Sequence, residues 1–235
     1  MGLIAARGTQ LVRREELSEV PVPLATRSYT PVPHRNLAEL ILNVGQKSFP
    51  DKELIDEQYC LSNKGQQMFA IATYGNGDET GMSIGYRNSY NKTLPVGIAM
   101  GASVMVCSNL CLKGEVHIFR RHTVNVWQDI RVFVSSVVEK AQGNYDEFKV
   151  EMDMLKGEYL ADYEAYKMLG LLHGRDIISV TQLSIAMSEW KSPSHEEFVA
   201  RNKWSFLNCV TEALKTAHPR LAMNQYIAAY NQIVQ

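Results

Sequence analysis

A short polar segment near the middle of the chain combines cationic and aromatic side chains. It runs from Tyr86 to Lys92 and contains two tyrosines, one arginine, one lysine and three Asn or Ser residues. Lysine and arginine neutralise phosphates, and an exposed tyrosine can stack on an unpaired base. On a sheet, this mixture predicts a groove for single-stranded nucleic acid. The alternative is a turn between two strands, because turns favour Asn and Ser for conformational reasons.

The charge of this region is hidden by the average of the chain, which has 24 Lys and Arg against 25 Asp and Glu. From Met82 to Arg131 six basic residues stand against two acidic ones, and over 139–167 eight acidic residues stand against four basic ones. The predicted sheet is therefore basic and a predicted helix is acidic. That helix is either a solvated face with i,i+4 pairs or a surface for the basic patch of a neighbouring subunit.

A second basic cluster, Arg120-Arg121-His122-Thr123, lies where strand-like sequence gives way to helical sequence. Thr123 is expected to cap a helix whose free N–H groups, beside two arginines, favour a phosphate. Alternatively, one arginine forms an ion pair with an acidic residue of the predicted acidic helix. Its role is then only to hold the strand-rich and helical parts of the chain together. The predicted nucleic-acid contacts are Tyr86, Arg87, Asn88, Tyr90, Lys92, Lys113, Arg120, Arg121 and His122.

Other chemistries have weaker support in the sequence. Phosphate-loop, dinucleotide-binding, zinc-protease and serine-hydrolase motifs are absent from it. Cys107 and Cys111, with His117 and His122 downstream, resemble half of a zinc site, but buried thiols explain them more simply. Cys107 and His122 also have the types of a nucleophile and base. We predict no metal, no cofactor and no catalytic activity; an enzyme acting on nucleic acid is the third alternative.

The elements that must position these residues predict an α+β fold. Residues 1–34 are expected to form an extended, proline-rich arm, packed on a neighbouring surface or flexible. Residues 35–235 are expected to form one domain, sheet-rich over 57–121 and helical over 123–233. Strands with turns between them favour an antiparallel meander, in which Gly97 and Gly101 indicate a bend or a close backbone approach.

The helices are expected to cover one face of this sheet. The first is predicted around Leu37 to Val44, before the strands. After the strands, helices are predicted from Thr123 to a break at Gly143-Asn144, from Phe148 through Tyr166 as one long helix, over 178–190, from Ser194 to about Leu214, and over 221–233.

Several features of the sequence predict a cytoplasmic protein. The N-terminal residues lack the apolar core of a secretory signal, and no apolar run approaches the roughly 18–20 residues that cross a bilayer. The four cysteines are sparse and irregular, which is typical of a reducing compartment. We therefore expect no membrane partner.

Ordered motifs over about residues 36–215 resemble the phage/plasmid-like family known as domain of unknown function 932. The motif Ile84–Leu94 is followed by the glycine-bearing stretch Gly97–Val106, as in that family. Further motifs are Cys107-Ser108-Asn109, Gly114 with Arg120–Thr123, and the helix Asn202–Glu212. Two departures are Asn91, where the family commonly has Asp, and Cys209, where it commonly has Ala. The resemblance implies a phage, prophage or plasmid protein in a bacterial host, but no reaction.

Together these observations predict a non-catalytic nucleic-acid-binding protein of a mobile element. Single-stranded DNA binding or annealing, by a homo-oligomer, is the expected activity. The alternative is a protein that binds and inhibits a component of host defence or replication. Mobile elements need such inhibitors, and a mixed-charge surface without catalytic motifs suits one.

Overall fold

The structure, a computed structural model, describes residues 8–105, 109–139 and 141–234. Within these ranges the side chains of 113–118, 137–139, 141–142 and 144 lie outside the description. In the described ranges, six antiparallel strands form one sheet whose spatial order follows the chain. They are β1 (Thr9–Val12), β2 (Glu53–Ser62), β3 (Gln67–Gly75), β4 (Thr80–Ser89), β5 (Val96–Val104) and β6 (Asn109–Arg120). The predicted α+β class and the antiparallel meander are confirmed.

The turn between β2 and β3 is formed by three residues with left-handed backbone conformation. Asn63, Lys64 and Gly65 all have positive φ, at 51°, 54° and 82°. Asn and Gly are the residues that adopt this left-handed region most readily. The register of the hairpin is continuous, with Ser62 opposite Gln67 and Tyr59 opposite Ala70.

Gly101 marks a close approach between the backbones of β5 and β6. A Cβ atom on Gly101 would lie 1.9 Å from the carbonyl oxygen of Cys111, so only glycine fits. The register also shifts here: Ala99 pairs with His117, but Gly101 pairs with Leu112. Four residues of β6, 113–116, therefore face one residue of β5, which makes a bulge. Of the two predictions made from the glycine spacing, a bend or a close backbone approach, the close approach is confirmed at Gly101.

Seven α-helices are present in the described part of the chain. They are α1 (His34–Ser48), α2 (Val126–Glu139), α3 (Ala141–Gly157), α4 (Asp162–Gly174), α5 (Val180–Lys191), α6 (Lys203–Leu214) and α7 (Pro219–Val234). Short 3₁₀ turns occur at Glu15–Ser18 and Glu196–Phe198. None of the described helices is long and apolar enough to span a bilayer.

The long helix predicted through Tyr166 is wrong, because the chain breaks it between α3 and α4. At the break the backbone pairs with another segment: Leu160 N donates to Arg201 O at 3.0 Å, and Tyr159 forms an isolated bridge with Asn202. Gly143 lies inside α3 and does not end a helix. Tertiary pairing here overrides the helical spacing of the apolar residues.

The helix predicted to open at Ser194 begins later. Only a 3₁₀ turn follows Ser194, and α6 begins at Lys203. Asn202 is its N-cap, because its Oδ1 accepts a hydrogen bond from Ser205 N at 2.8 Å. The C-terminal helices pack on the sheet, as predicted.

Helices cover both faces of the sheet, so the prediction of one covered face is wrong. Tyr74 donates from its hydroxyl to Leu42 O on α1, whereas Phe69 stacks on Tyr226 of α7. Phe69 and Tyr74 differ by an odd number of positions in β3, and alternate side chains of a strand point to opposite faces. Accordingly, β3 and β4 are buried along their whole length.

The described part of the predicted arm packs on its own chain. β1 pairs with β2 at one edge of the sheet. Leu17 and Val32 are buried in the core, and Thr30 N donates to His122 O at 3.0 Å. The segment before α1 is therefore part of the folded unit.

Candidate anion-binding pocket

Three segments distant in sequence meet at one end of the sheet and enclose a pocket of about 600 Å³. They are the chain before α1, the loop between β4 and β5, and the segment that follows β6. We call it the Lys92 pocket. Its lining consists of Ser28, Tyr29, Lys92, Thr93, Leu94, Pro95, Arg121, His122 and Thr123. The structure thus brings together three of the predicted contacts: Lys92, Arg121 and His122.

The β4–β5 loop is folded by its own polar side chains, and this places Lys92. Ser89 Oγ donates to Leu94 O at 2.9 Å and accepts from Leu94 N at 3.1 Å. Asn91 Oδ1 accepts from the backbone N and the hydroxyl of Thr93. Lys92, between them, has φ of 61°, a backbone region that non-glycine residues seldom adopt. Its ammonium lies 4.5 Å from the centroid of the Tyr29 ring.

The pocket is positive. Lys92 and Arg121 are exposed, and they are the charged members of a lining that contains no Asp or Glu. Neither cation forms a salt bridge to any residue that the structure describes. Hydroxyl groups of Ser28 and Thr123 add hydrogen-bonding capacity. Such a lining favours an anion, above all a phosphate.

A buried chain of hydrogen bonds lies behind the pocket, and we call it the histidine–asparagine chain. His34 Nε2 is 2.9 Å from Gly65 O, and His34 Nδ1 is 2.9 Å from Asn88 Nδ2. Asn88 Nδ2 also donates to Val32 O, and Asn88 Oδ1 is 2.8 Å from His122 Nε2. The chain therefore runs from the β2–β3 turn to the pocket wall.

The carbonyl at one end fixes every proton in this chain. A carbonyl only accepts, so His34 Nε2 carries its proton and His34 Nδ1 accepts from Asn88. Asn88 Oδ1 also accepts, so the proton of His122 is on Nε2. Burial lowers the pKa of both histidines to about 4, so both imidazoles are neutral at pH 7.

Tyr90 holds the start of α1 and is not a stacking platform. Its hydroxyl accepts from His34 N at 2.7 Å, and its ring stacks on the His34 imidazole at 4.0 Å. Tyr29 donates to Tyr90 O at 3.0 Å. Burial raises the pKa of Tyr90 to about 12. The predicted base contact of Tyr90 is therefore wrong, because its ring is already covered by protein.

Tyr86, Arg87 and Asn88 are also buried, so their predicted contacts are corrected. Tyr86 has no exposed surface, and the side-chain amide of Asn88 makes its hydrogen bonds within the histidine–asparagine chain. Arg87 is 4% exposed and faces α7, where Nη1 donates to Asn224 Oδ1 at 3.0 Å. Its pKa falls to about 10 because of burial. The structure places these three side chains in the core because the sheet is covered on both faces.

The Arg120–Thr123 cluster is divided by the structure. Arg121 lines the pocket, whereas Arg120 is half-buried with its guanidinium 3.7 Å from the centroid of the Phe133 ring. Thr123 is not the N-cap of α2, which begins at Val126; its carbonyl accepts from Val126 N in a turn. Neither arginine forms an ion pair with α3 among the described residues. The side chain of Lys113 lies outside the description.

The described residues give no support to a zinc site or a nucleophile–base pair formed by the cysteines and histidines. Cys111 is 1% exposed and lies in the core, whereas Cys107 lies outside the described residues. His122 directs Nε2 to Asn88, as above. No group of three or more His, Cys, Asp or Glu side chains able to hold a metal occurs in the part of the chain that the structure describes.

His34 and Tyr29 belong to this site, but the sequence gives no local signal for either. His34 is an isolated histidine 54 positions from Asn88, and Tyr29 lies in a proline-rich stretch. Only the folded chain brings them to the β4–β5 loop. Covariation between positions 34 and 88 is the kind of signal that reveals such a pair.

Comparison with protein-family models, curated proteins and solved structures finds no match to this chain. The resemblance to domain of unknown function 932 therefore stays a prediction from the motifs.

Proposed function

We propose that this protein binds single-stranded nucleic acid without catalysis, seating a backbone phosphate between Lys92 and Arg121. One observation carries the proposal: two exposed cations from distant segments line one pocket that has no carboxylate in its lining. Cations that form no salt bridge to a described residue are available to neutralise a phosphate. The support is thus geometric and electrostatic, and it uses two of the residues predicted from sequence.

A single strand suits this pocket better than a duplex. The pocket is concave and bounded by three segments, and a flexible strand can turn one phosphate into it, whereas a duplex is stiff. Because Tyr86 and Tyr90 are buried, stacking on them contributes nothing. Phosphate contacts carry no direct base readout, so we expect weak sequence preference and strong salt dependence.

The test is the salt dependence of binding to a labelled single-stranded oligonucleotide of about 15 nucleotides, measured by fluorescence anisotropy at roughly 50 to 300 mM NaCl. Lys92→Gln and Arg121→Gln should each reduce the slope of log K against log salt by about 0.7, and the double variant by twice as much. Lys167→Gln is the matched control, since Lys167 is an exposed lysine on α4.

Two results overturn the proposal. The first is the absence of binding by the wild-type protein even at low salt. The second is a double variant whose salt slope equals both that of the wild-type protein and that of the Lys167→Gln control. Thermal melting of each variant should remain within a few degrees of wild type, because both cations are exposed.

The wider setting that we propose is a phage or plasmid protein acting as a homo-oligomer in the bacterial cytoplasm. The motif resemblance supports the mobile element, and the sparse cysteines support a reducing compartment. An oligomer would place several Lys92 pockets along one strand and raise affinity through multivalency. Light scattering after size exclusion, with and without oligonucleotide, tests this part.

The alternative, a protein-binding inhibitor of host defence or replication, has a weaker structural basis. Val180 on α5 is exposed, and it lines a smaller apolar hollow of about 380 Å³ with Leu183 and Met187. Nothing in the described chain identifies what would cover this face. A pull-down from host lysate that persists after nuclease treatment would favour the alternative.

A further inference from the structure

His122 is held rigidly at the wall of the Lys92 pocket. Its Nε2 points inward to Asn88 Oδ1, and its carbonyl accepts from Thr30 N at 3.0 Å. The Tyr29 ring lies 5.6 Å from the imidazole, centroid to centroid. The other ring nitrogen, Nδ1, has no hydrogen-bond partner among the described residues.

The histidine–asparagine chain determines what Nδ1 offers a ligand. With the proton on Nε2, Nδ1 carries a lone pair and can only accept. Burial, which lowers the pKa of His122 to about 4, keeps the ring neutral at pH 7. Phosphodiester oxygens are acceptors too, so they do not pair with Nδ1. The pocket therefore combines two cations for a phosphate with one acceptor that requires a neighbouring donor.

In a nucleic-acid backbone, the donor that lies next to a phosphate is the ribose 2′-hydroxyl. DNA has only carbon-bound hydrogens at that position, and the 2′-hydroxyl is the group by which proteins distinguish RNA from DNA. We propose that the strand bound in the Lys92 pocket is RNA, selected by a 2′-hydroxyl that donates a hydrogen bond to His122 Nδ1 while the adjacent phosphate lies between Lys92 and Arg121. This inference rests on the proposed function, and it names RNA as the ligand where the sequence predicted single-stranded DNA.

The pocket has the remaining groups that such a nucleotide needs. The hydroxyls of Ser28 and Thr123 can donate to phosphate oxygens, and Pro95 and Leu94 offer apolar surface to the sugar. Base edges need not enter for these contacts to form, so the selection is for sugar and not for sequence.

The experiment compares three strands with the same base: oligouridine, oligodeoxyuridine and 2′-fluoro-oligouridine of equal length, each end-labelled. The 2′-fluoro strand keeps a ribose-like sugar pucker but lacks the donor. Oligouridine should bind about three- to tenfold more tightly than either of the others, the value of one neutral hydrogen bond. His122→Gln should reduce this preference, measured as the ratio of the oligouridine and oligodeoxyuridine affinities of the variant itself.

The outcomes separate the two proposals. Equal affinity for oligouridine and oligodeoxyuridine overturns the RNA inference and leaves phosphate binding intact. A 2′-fluoro strand that binds as well as oligouridine also overturns it, because sugar shape and not the hydroxyl would then be recognised. Absence of binding to all three strands at low salt overturns the proposed function itself. The strand comparison uses only wild-type protein, so it holds even if His122→Gln fails to fold.

Discussion

The guanidinium of Arg87 lies over the ring of Phe119, with Cζ 4.5 Å from the ring centroid. Arg87 Nε is buried without a hydrogen-bond partner, and Nη1 donates only to the exposed Asn224. No carboxylate among the described residues pairs with this buried charge. A buried cation without a counter-ion contributes little to stability, because its loss of hydration is not repaid.

Replacing Arg87 by Met should therefore leave the free energy of unfolding unchanged or raise it by about 1–2 kcal/mol. Methionine keeps the contact with Phe119, and water replaces the donor to Asn224. Urea denaturation measures the change, and oligonucleotide affinity should not move. A loss of stability greater than about 2 kcal/mol would show that the Arg87 charge is paired in the folded protein.

Replacing Asn88 by Leu should be strongly destabilising. The amide makes hydrogen bonds to Val32 O and to both histidines of the histidine–asparagine chain. Each buried polar group left unpaired costs about 1–3 kcal/mol, so we expect a total loss of about 3 kcal/mol or more. Asn36→Leu, at an exposed position of α1, is the matched control and should change stability by less than about 0.5 kcal/mol. Similar denaturation midpoints for the two variants would contradict the role of the chain.

Stability should fall as the pH is lowered from 6.5 towards 4. The pKa of His34 and of His122 is about 4 in the fold, against 6.5 in the unfolded chain. The unfolded chain therefore binds more protons in this window, and the stabilisation, complete above pH 6.5, is lost as pH falls to about 4. The loss approaches about 3 kcal/mol for each histidine. His122→Gln, which stays neutral, should flatten the dependence of urea midpoints on pH; an identical dependence in this variant would refute the assignment.

Gly101→Ala should disrupt the β5–β6 pairing. The new Cβ would meet the Cys111 carbonyl oxygen at 1.9 Å, and backbone cannot yield as a side-chain tip does. We expect a loss of at least about 3 kcal/mol or failure to fold. Gly170→Ala is the control, because no atom lies within 4 Å of its Cβ position in α4. It should stabilise by about 0.5–1 kcal/mol. Equal effects in thermal melts would overturn the argument.

The motif from Tyr86 to Lys92 shows why sequence could find part of the site and misplace the rest. The motif correctly indicated a cationic segment in which a strand is followed by a turn, because these features depend on local residue types. The motif does not reveal that both faces of β4 are covered. Alternation along the strand directs Arg87 towards α7 and Asn88 towards His34 of α1. Lys92 escapes burial because it lies past the strand, at a positive φ.

The helices show the same division between local and distant causes. Apolar spacing located α1, α5 and α7 closely, since each buries one continuous stripe. It missed the end of α3, because that end depends on backbone pairing between Leu160 and Arg201, which are 41 positions apart. Contacts over such distances have no signature in a short window of sequence.

The Lys92 pocket also imposes an order of events on the newly made chain. Ser28 and Tyr29 leave the ribosome long before Lys92 and His122, the residues that complete the pocket with them. Until about residue 123 has emerged, the N-terminal segment has no complete surface to pack against. Its apolar Val32, which is buried in the folded chain, stays exposed until then. A strand bound as proposed would contact all three segments at once, so its binding should stabilise the folded arrangement of these segments by mass action.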